Sequence, residues 1–288
     1  MEGNMAGRLY LCATPIGNLE DITLRVLTTL KEVDLIAAED TRHSIKLLNH
    51  FQIKTPMTSY HEYNKFDKAK YLVEQMKQGI QLALITDAGT PGISDPGEEL
   101  VKQCYEAGIE VTSLPGPAAC ITALTMSGLE TRRFCFEAFL PPDKRERQRI
   151  LEELSRETRT IILYEAPHHL VKTLEELFLC LGERQITICR ELTKRHEEAD
   201  KTTLTQAMKR FGAEEPRGEF VIVIQGKSAE AMKQEMQKSW ESISIEEHMK
   251  RYQDQGMDQK NAMKAVAKDR GIRKRDIYQY LLEKEKSS

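Results

Sequence analysis

The sequence predicts an α/β protein made of two successive α/β halves with a small helical appendage at the C-terminal end. Three observations point there. Short β-rich runs alternate with amphipathic helical patterns for most of the chain, glycine- and proline-rich turns follow several of those runs, and from Ser228 onward strands cease while Lys, Gln and Glu take over. Such alternation favours a parallel sheet with helical crossovers.

In chain order, Leu9–Thr14, Asp34–Ala38, Gln81–Thr86 and Ile109–Leu114 read as buried strands, with Ile22–Lys31, Lys65–Lys77 and Glu98–Ala107 as the helices between them. Pro115-Gly116-Pro117 is a strong turn signal and leads into an Ala-rich helix, Ala118–Ser127. A second series follows, with strands at Phe134–Phe139, Thr160–Tyr164, Gln185–Arg190 and Glu219–Gln225 and helices at Lys144–Arg156, Leu170–Cys180 and Leu204–Phe211. The predicted divisions are therefore 1–117, 118–227 and a polar helical tail, 228–288.

Within the tail, Gln259–Asp269 and Lys274–Glu283 read as helices about a turn at Gly271, sharing an apolar seam of Ala262, Val266, Ile277, Tyr280 and Leu281. From Lys260 to the end nine Lys or Arg face four Asp or Glu, with Lys268, Arg270, Arg273, Lys274 and Arg275 gathered about the turn. Two readings stand: a phosphate-contacting arm, or the solvated face of a packed helical pair.

Composition narrows the function classes. With 40% hydrophobic and 30% charged residues in 288, the chain has material for real cores and a solvated surface. A net charge of −3 argues against a protein that coats nucleic acid through bulk positive charge, so any RNA binding must come from local patches. Met1–Arg8 lacks the charged and apolar regions of a signal peptide, and no run approaches the roughly 20 apolar residues that span a bilayer. A cytoplasmic protein without membrane association is expected. The six cysteines are scattered, with no C-x-x-C and no partnered histidine spacing, so buried thiols are expected and no metal site.

Ligands of open α/β sheets sit beyond the carboxyl ends of strands, and three turns there carry unusual chemistry. The first, after the first strand, contains Pro15, Ile16 and Gly17, which an ordinary turn would also explain. The second runs from Thr86 to Gly97 and holds Asp87, Gly89, Thr90, Gly92, Ile93 and Ser94. Asp95 and Pro96 suit the start of the next helix, but a bare strand-to-helix connection needs only about 2–6 residues. The third contains Pro115, Ala118 and Ala119, whose small side chains leave room for a flat adenosine-like group or serve tight packing. Neither G-x-G-x-x-G nor G-x-x-x-x-G-K-[ST] is present, so a ligand without phosphates, such as S-adenosylmethionine, fits better than NAD or ATP.

These turns belong to a longer set of phrases: Ala13-Thr-Pro-Ile-Gly-Asn18, Ala38-Glu-Asp-Thr-Arg-His43, the loop from Thr86 to Gly97, Leu114-Pro-Gly-Pro117, Tyr164-Glu-Ala-Pro-His168 and Arg190-Glu-Leu-Thr-Lys-Arg-His-Glu-Glu198. Together, over roughly residues 8–226, they resemble the ribosomal RNA small subunit methyltransferase I family of the tetrapyrrole-methylase superfamily. The resemblance implies two α/β domains holding S-adenosylmethionine between them, a homodimer, and 2′-O-ribose methylation of a cytidine in 16S RNA or the assembled 30S particle. Tetrapyrrole methylation on the same fold is the alternative. His169 and Lys201-Thr202 depart from the family pattern, which usually has Arg and Arg-Gly there.

Methyl transfer to a hydroxyl needs alignment and a proton acceptor. The candidates are Asp40, beside Arg42 as a phosphate-holding cation, and His61. A helix cap at Asp40 or Thr41 explains the first segment equally well. From the second half, Tyr164, Glu165 and Pro167 at one strand end and Arg190, Glu191, Thr193 and Lys194 at another are expected to close over the donor, with Arg190–Glu191 as a structural ion pair the other reading.

Overall fold

The computed structural model describes residues 6–287; Met1–Met5, part of the N-terminal stretch read above, lie outside the described residues. Residues up to Ser155 together with Arg159–Gln225 form one compact unit that carries two five-stranded sheets.

The first sheet is parallel throughout, in the order β3-β2-β4-β1-β5. Its strands are β1 (Arg8–Cys12), β2 (Leu35–Ala38), β3 (Met57–Ser59), β4 (Leu82–Ile85) and β5 (Glu110–Leu114). Successive side chains point to opposite faces, and both faces are covered. Leu9, Leu11, Leu82 and Leu84 pack on one side with residues of α3 (Lys65–Lys77) and α4 (Gly97–Glu106). Cys12, Ile36, Ala83 and Ile85 pack on the other with residues of α1 (Leu24–Glu32) and α2 (Thr41–His50). Burial on both faces is why β4 reads as an unbroken apolar run. Each fully buried Leu or Ile in it contributes about 1.5–3 kcal/mol.

The second sheet, β6 (Phe134–Phe139), β7 (Thr160–Glu165), β8 (Gln185–Arg190), β9 (Glu198–Thr203) and β10 (Phe220–Ile224), has the order β6-β7-β10-β8-β9. Only β6 and β7 pair in parallel, and the other pairings are antiparallel, so this half departs from the all-crossover pattern that alternation favours. Its largest core lies with α6 (Lys144–Ser155), α7 (Leu170–Leu181) and α8 (Leu204–Ala213), while α5 (Ala119–Met126) covers the opposite face. Pro115-Gly116-Pro117 thus separates the last strand of the first sheet from the helix that packs on the second.

In this unit two strands and one α-helix are additions to the sequence reading. β3 has only three residues, and β9, Glu-Ala-Asp-Lys-Thr-Thr, is a polar edge strand with no apolar alternation to mark it. The helix α2 begins where capping at Asp40 anticipates it: the Asp40 side chain accepts from the Arg42 N–H.

The second compact unit comprises Arg156–Thr158 and the chain from Gly226. It holds α9 (Ala229–Ser239), α10 (Ile245–Asp254), α11 (Gln259–Arg270) and α12 (Lys274–Ser287). Gly271 ends α11 in the left-handed conformation, φ 65°, as the expected turn requires. Ala262, Val266 and Ile277 form the core with Met249 of α10 and Ala267, and Leu281 packs on it, while Tyr280 instead bonds Glu246 through its hydroxyl. Arg270 is a correction to the phosphate-arm cluster. Its guanidinium donates to the carbonyls of Ile243 and Ser244 and to Nδ1 of His248, so it serves the fold.

His248 has a fully buried side chain, stacked on Trp240 at 3.8 Å between centroids with Tyr252 at 5.6 Å. Because Arg270 Nε donates to Nδ1, that nitrogen is unprotonated and the ring proton sits on Nε2, 3.3 Å from Asp269 Oδ2. Burial and then the Arg270 charge, with Arg251 adding to it, lower the imidazole pKa below 6.5 against the pull of Asp269. The unfolded chain therefore takes up the proton first, and stability present above pH 6.5 is lost as the pH falls through that range. Amide protection in α10 and α11 of the full-length protein is expected to drop as the pH falls below about 6.5, a step that His248→Gln removes. Equal pH profiles for the two proteins would contradict this.

Candidate active site

Three loops at the carboxyl end of the first sheet are pinned together. Thr14, after β1, pairs with Gly89, after β4, through two backbone hydrogen bonds of 2.9 and 3.0 Å. The Thr14 hydroxyl donates to the Thr86 carbonyl, and the Thr90 hydroxyl to the carbonyl of Pro117, beyond β5.

The long loop after β4 is organised by Asp95. Its carboxylate accepts from the N–H groups of Gly92, Ile93 and Gly97; α4 begins at Gly97 with Pro96 at the cap position, so Asp95, expected as the cap, stands one residue earlier and ties back the loop. Gly97 must lack a side chain for this: a Cβ would stand 2.7 Å from Asp95 Oδ1 and 2.9 Å from the Gly92 nitrogen. Burial raises the Asp95 pKa, and the three N–H bonds oppose it. Gly89 (φ 86°) and Ser94 (φ 63°) take left-handed backbone within the same loop.

Beside these loops lies a cavity of about 380 Å³, the size of a small-molecule site. Of the residues expected to bind the donor, Ile16, Gly89, Thr90, Ile93, Ser94, Ala118, Ala119, Tyr164 and Glu165 line it. Pro167, expected to close the cleft, and Asp95, expected as a helix cap, line it as well, and its remaining walls went unselected in the sequence: Glu39 after β2, Thr86 and Ala88, Cys120, Phe139 at the end of β6, Ala166 after β7, Leu192 after β8, and Glu219–Val221 at the start of β10. Attention to every strand end would have found Phe139 and Leu192. Glu219–Val221 enter because β10 runs antiparallel, which no motif announces.

The second sheet aims its residues by local distortion. A bulge between Phe136 and Ala138, with Ala138 at φ 53°, turns Phe139 toward the cavity, where its ring meets Tyr164 edge-on at 5.6 Å. Glu191 (φ 51°) and Thr193 (φ 65°) flank Leu192 in left-handed backbone, and only Leu192 lines the cavity. The Glu191 carboxylate accepts from the Glu219 N–H and from Lys194 Nζ, which also bonds Glu219. Arg190 pairs with Glu198 at 3.2 Å, so the anticipated Arg190–Glu191 pair is replaced by two separate ones. Tyr164 accepts the Cys120 N–H on its hydroxyl, and buried Glu165 accepts from Ala166 N–H and the Thr173 hydroxyl.

Pro15, Gly17 and Asp87 line a second cavity of about 340 Å³ together with Thr14, Leu19, Thr86 and the α2 residues His43, Ser44, Lys46, Leu47 and His50. Gly17 is needed for close approach, since a Cβ there would lie 2.9 Å from the Leu192 carbonyl. Gly92, Pro115, Arg190, Glu191 and Thr193 line neither cavity. Nor do the three expected catalytic residues. Asp40 caps α2 and holds the Arg42 guanidinium at 2.9 and 3.1 Å, which lowers its carboxyl pKa to about 2. His61 is bonded by its backbone N–H to the side chain of Asn64.

The two cavities differ in charge. The first is lined by four carboxylates, Glu39, Asp95, Glu165 and Glu219, and by no Lys, Arg or His. The second has Lys46, His43 and His50 against one carboxylate, Asp87. Among the described residues no group of three or more His, Cys, Asp or Glu is arranged to hold a metal, and no helix is long and apolar enough to cross a membrane.

Residues 8–208 match the family of Tetrapyrrole (Corrin/Porphyrin) Methylases. Over 272 residues the chain is 48% identical to the ribosomal RNA small subunit methyltransferase I of Halalkalibacterium halodurans, covering 94% of this chain and 93% of that protein. Over 280 residues it is 48% identical to the Synechocystis protein of that name, covering 97% and 99%. The fold is shared with the uroporphyrin-III C-methyltransferase of Thermus thermophilus, solved in complex with S-adenyl homocysteine. The TM-score is 0.54 at 19% identity, over 76% of this chain and 97% of that one.

Replacing Asp95 by Ala leaves the Gly92, Ile93 and Gly97 N–H groups without their acceptor. The expected cost is about 2–3 kcal/mol in urea unfolding, with faster exchange of the Gly92 and Gly97 amides. A loss below about 0.5 kcal/mol would show that the loop holds itself.

Proposed function

The chain belongs to the tetrapyrrole methylases and, within them, to the ribosomal RNA small subunit methyltransferase I family, and on that premise we propose that its acidic cavity holds S-adenosylmethionine for methylation of a cytidine 2′-hydroxyl in small-subunit (16S) ribosomal RNA. The methyltransferase activity on ribosomal RNA follows from family membership. The nucleotide, the reacting atom and the residue roles are this reading's own. The observation that carries the donor site is the lining: four carboxylates and no cation suit a positively charged ligand without phosphates. When bound, S-adenosylmethionine supplies a methyl group activated by its sulfonium charge. Ala118 and Ala119 leave space for a flat base, and Phe139, Tyr164 and Leu192 supply apolar walls that exclude water.

We assign the proton acceptor to Glu39 in place of Asp40 and His61. Glu39 is half-buried and faces the cavity, and its Oε2 accepts the Thr86 hydroxyl, which leaves Oε1 to take the hydroxyl proton. Asp40 then acts as a positioning residue for Arg42, whose side chain is 91% exposed and suited to a substrate phosphate. Residues 1–117 would carry both donor loops and acceptor, 118–227 would close over the donor, and the basic tail would add RNA contacts. A cytoplasmic homodimer acting on the 30S particle completes the reading.

Incubating the protein with labelled donor and either unmethylated small ribosomal subunits or a tetrapyrrole acid tests the function. Label in RNA nucleosides as 2′-O-methylcytidine supports it, and label in the tetrapyrrole alone overturns it. Gly89→Val sets a branched side chain at φ 86° with its Cβ 3.3 Å from Ile16 Cγ2, so donor affinity measured by calorimetry should fall at least about tenfold in a folded protein. Glu39→Gln should lower kcat about 100-fold or more, well beyond any loss of donor affinity. An unchanged kcat would remove Glu39 from the chemistry.

A further inference from the structure

The geometry points to the second cavity as a nucleotide-binding site that takes a phosphate of the RNA substrate on Lys46 and turns the attached ribose toward Thr86 and the donor cavity. This inference rests on the RNA reading above and assigns that substrate a place. The cavity is formed where α2 passes the turn after β1. Residues 43, 46, 47 and 50 fall at helical spacing on one face of α2, so His43, Lys46 and His50 project to the same side, with buried Ser44 at its edge, while Leu48 packs into the core.

Charge separates this wall from its neighbour. Lys46 is exposed, and no ion pair or hydrogen bond of its side chain occurs among the described residues, so its ammonium is available to an anion. Thr86 and Asp87 follow β4, and the Asp87 carboxylate accepts the Asp40 N–H at the start of α2, so it marks the end of the cavity near His43 while Lys46 lies a turn further along the helix. The Asp87 carboxylate repels a phosphate, and the Thr86 hydroxyl has its proton committed to Glu39, so both are left to accept hydrogen bonds from ribose hydroxyls. A nucleotide satisfies these groups in one orientation, phosphate on Lys46 and sugar toward Thr86 and Asp87.

Position adds the second argument. Thr86 lines both cavities, and the Thr14–Gly89 pairing stands between them, with Thr14 facing the second and Gly89 the first. A ribose held against Thr86 is therefore next to Glu39, which the Thr86 hydroxyl bonds at 2.7 Å. The cavity offers a way to present a sugar hydroxyl to the acidic site without placing the phosphate among four carboxylates.

The test compares Lys46→Ala, Lys46→Glu and Lys46→Arg with the wild-type chain for equilibrium binding to unmethylated small ribosomal subunits over a range of salt. Donor affinity is measured in parallel by calorimetry. Lys46→Ala is expected to bind the subunit about five- to tenfold more weakly, with the salt slope reduced by about one, and Lys46→Glu more weakly still. Lys46→Arg should restore binding, and donor affinity should hold throughout. Unchanged subunit affinity and salt slope in Lys46→Glu overturn the assignment. So does a parallel loss of donor affinity, because the side chain would then be acting on the fold. Binding is read here rather than turnover, so absent methyl transfer by the wild-type chain would count against the functional reading and leave these affinity ratios to judge the cavity.

Discussion

The site depends on one pairing, the two backbone hydrogen bonds between Thr14 and Gly89. Strands β1 and β4 are neighbours, and their following helices depart to opposite faces of the sheet, so the loops between them would otherwise diverge. Joining them closes the crevice at its centre and divides it in two. The Thr14 hydroxyl on the Thr86 carbonyl and the Thr90 hydroxyl on the Pro117 carbonyl extend the same tie to all three ligand-facing turns.

The second half meets this frame with backbone held in uncommon conformations. Ala138, Glu191 and Thr193 all lie at positive φ, each next to a residue that lines the donor cavity. Such conformations cost of order 1–3 kcal/mol each and persist where surrounding bonds over-determine them. At Glu191 those bonds are visible: its carboxylate takes the Glu219 N–H and the Lys194 ammonium, and a Cβ on Gly218 would collide with it. Gly17 completes the closure, because only a residue without a side chain can meet Leu192 and Thr193 at this distance.

Division of the crevice also divides its charge. In a protein of net charge −3, Lys46 stands with His43 and His50 on one face of α2, while the neighbouring cavity is lined by no Lys, Arg or His. The C-terminal unit shows that basic residues alone do not identify such a surface. Arg270 belongs to the densest basic cluster in the sequence, yet its guanidinium is spent on two carbonyls and on His248.

Much of this was legible in the residues. Buried strands announced themselves as apolar runs, the helix over Lys65–Lys77 appears with its predicted bounds, and the three ligand-facing turns stand out because glycine and proline at strand ends have few other uses. Those local signals determined the α/β class, the glycine-rich turns that line the first cavity and Gly271 as a helix stop. Tertiary structure alone decided which neighbour does which work. Glu39 and Asp40 are adjacent carboxylates at the end of β2, where successive side chains point opposite ways: Glu39 turns into the cavity, and Asp40 turns to cap α2. Likewise β9, too polar to read as a strand, and Glu219–Val221, brought in by an antiparallel pairing, acquire their places only through residues distant in sequence, which no local pattern encodes.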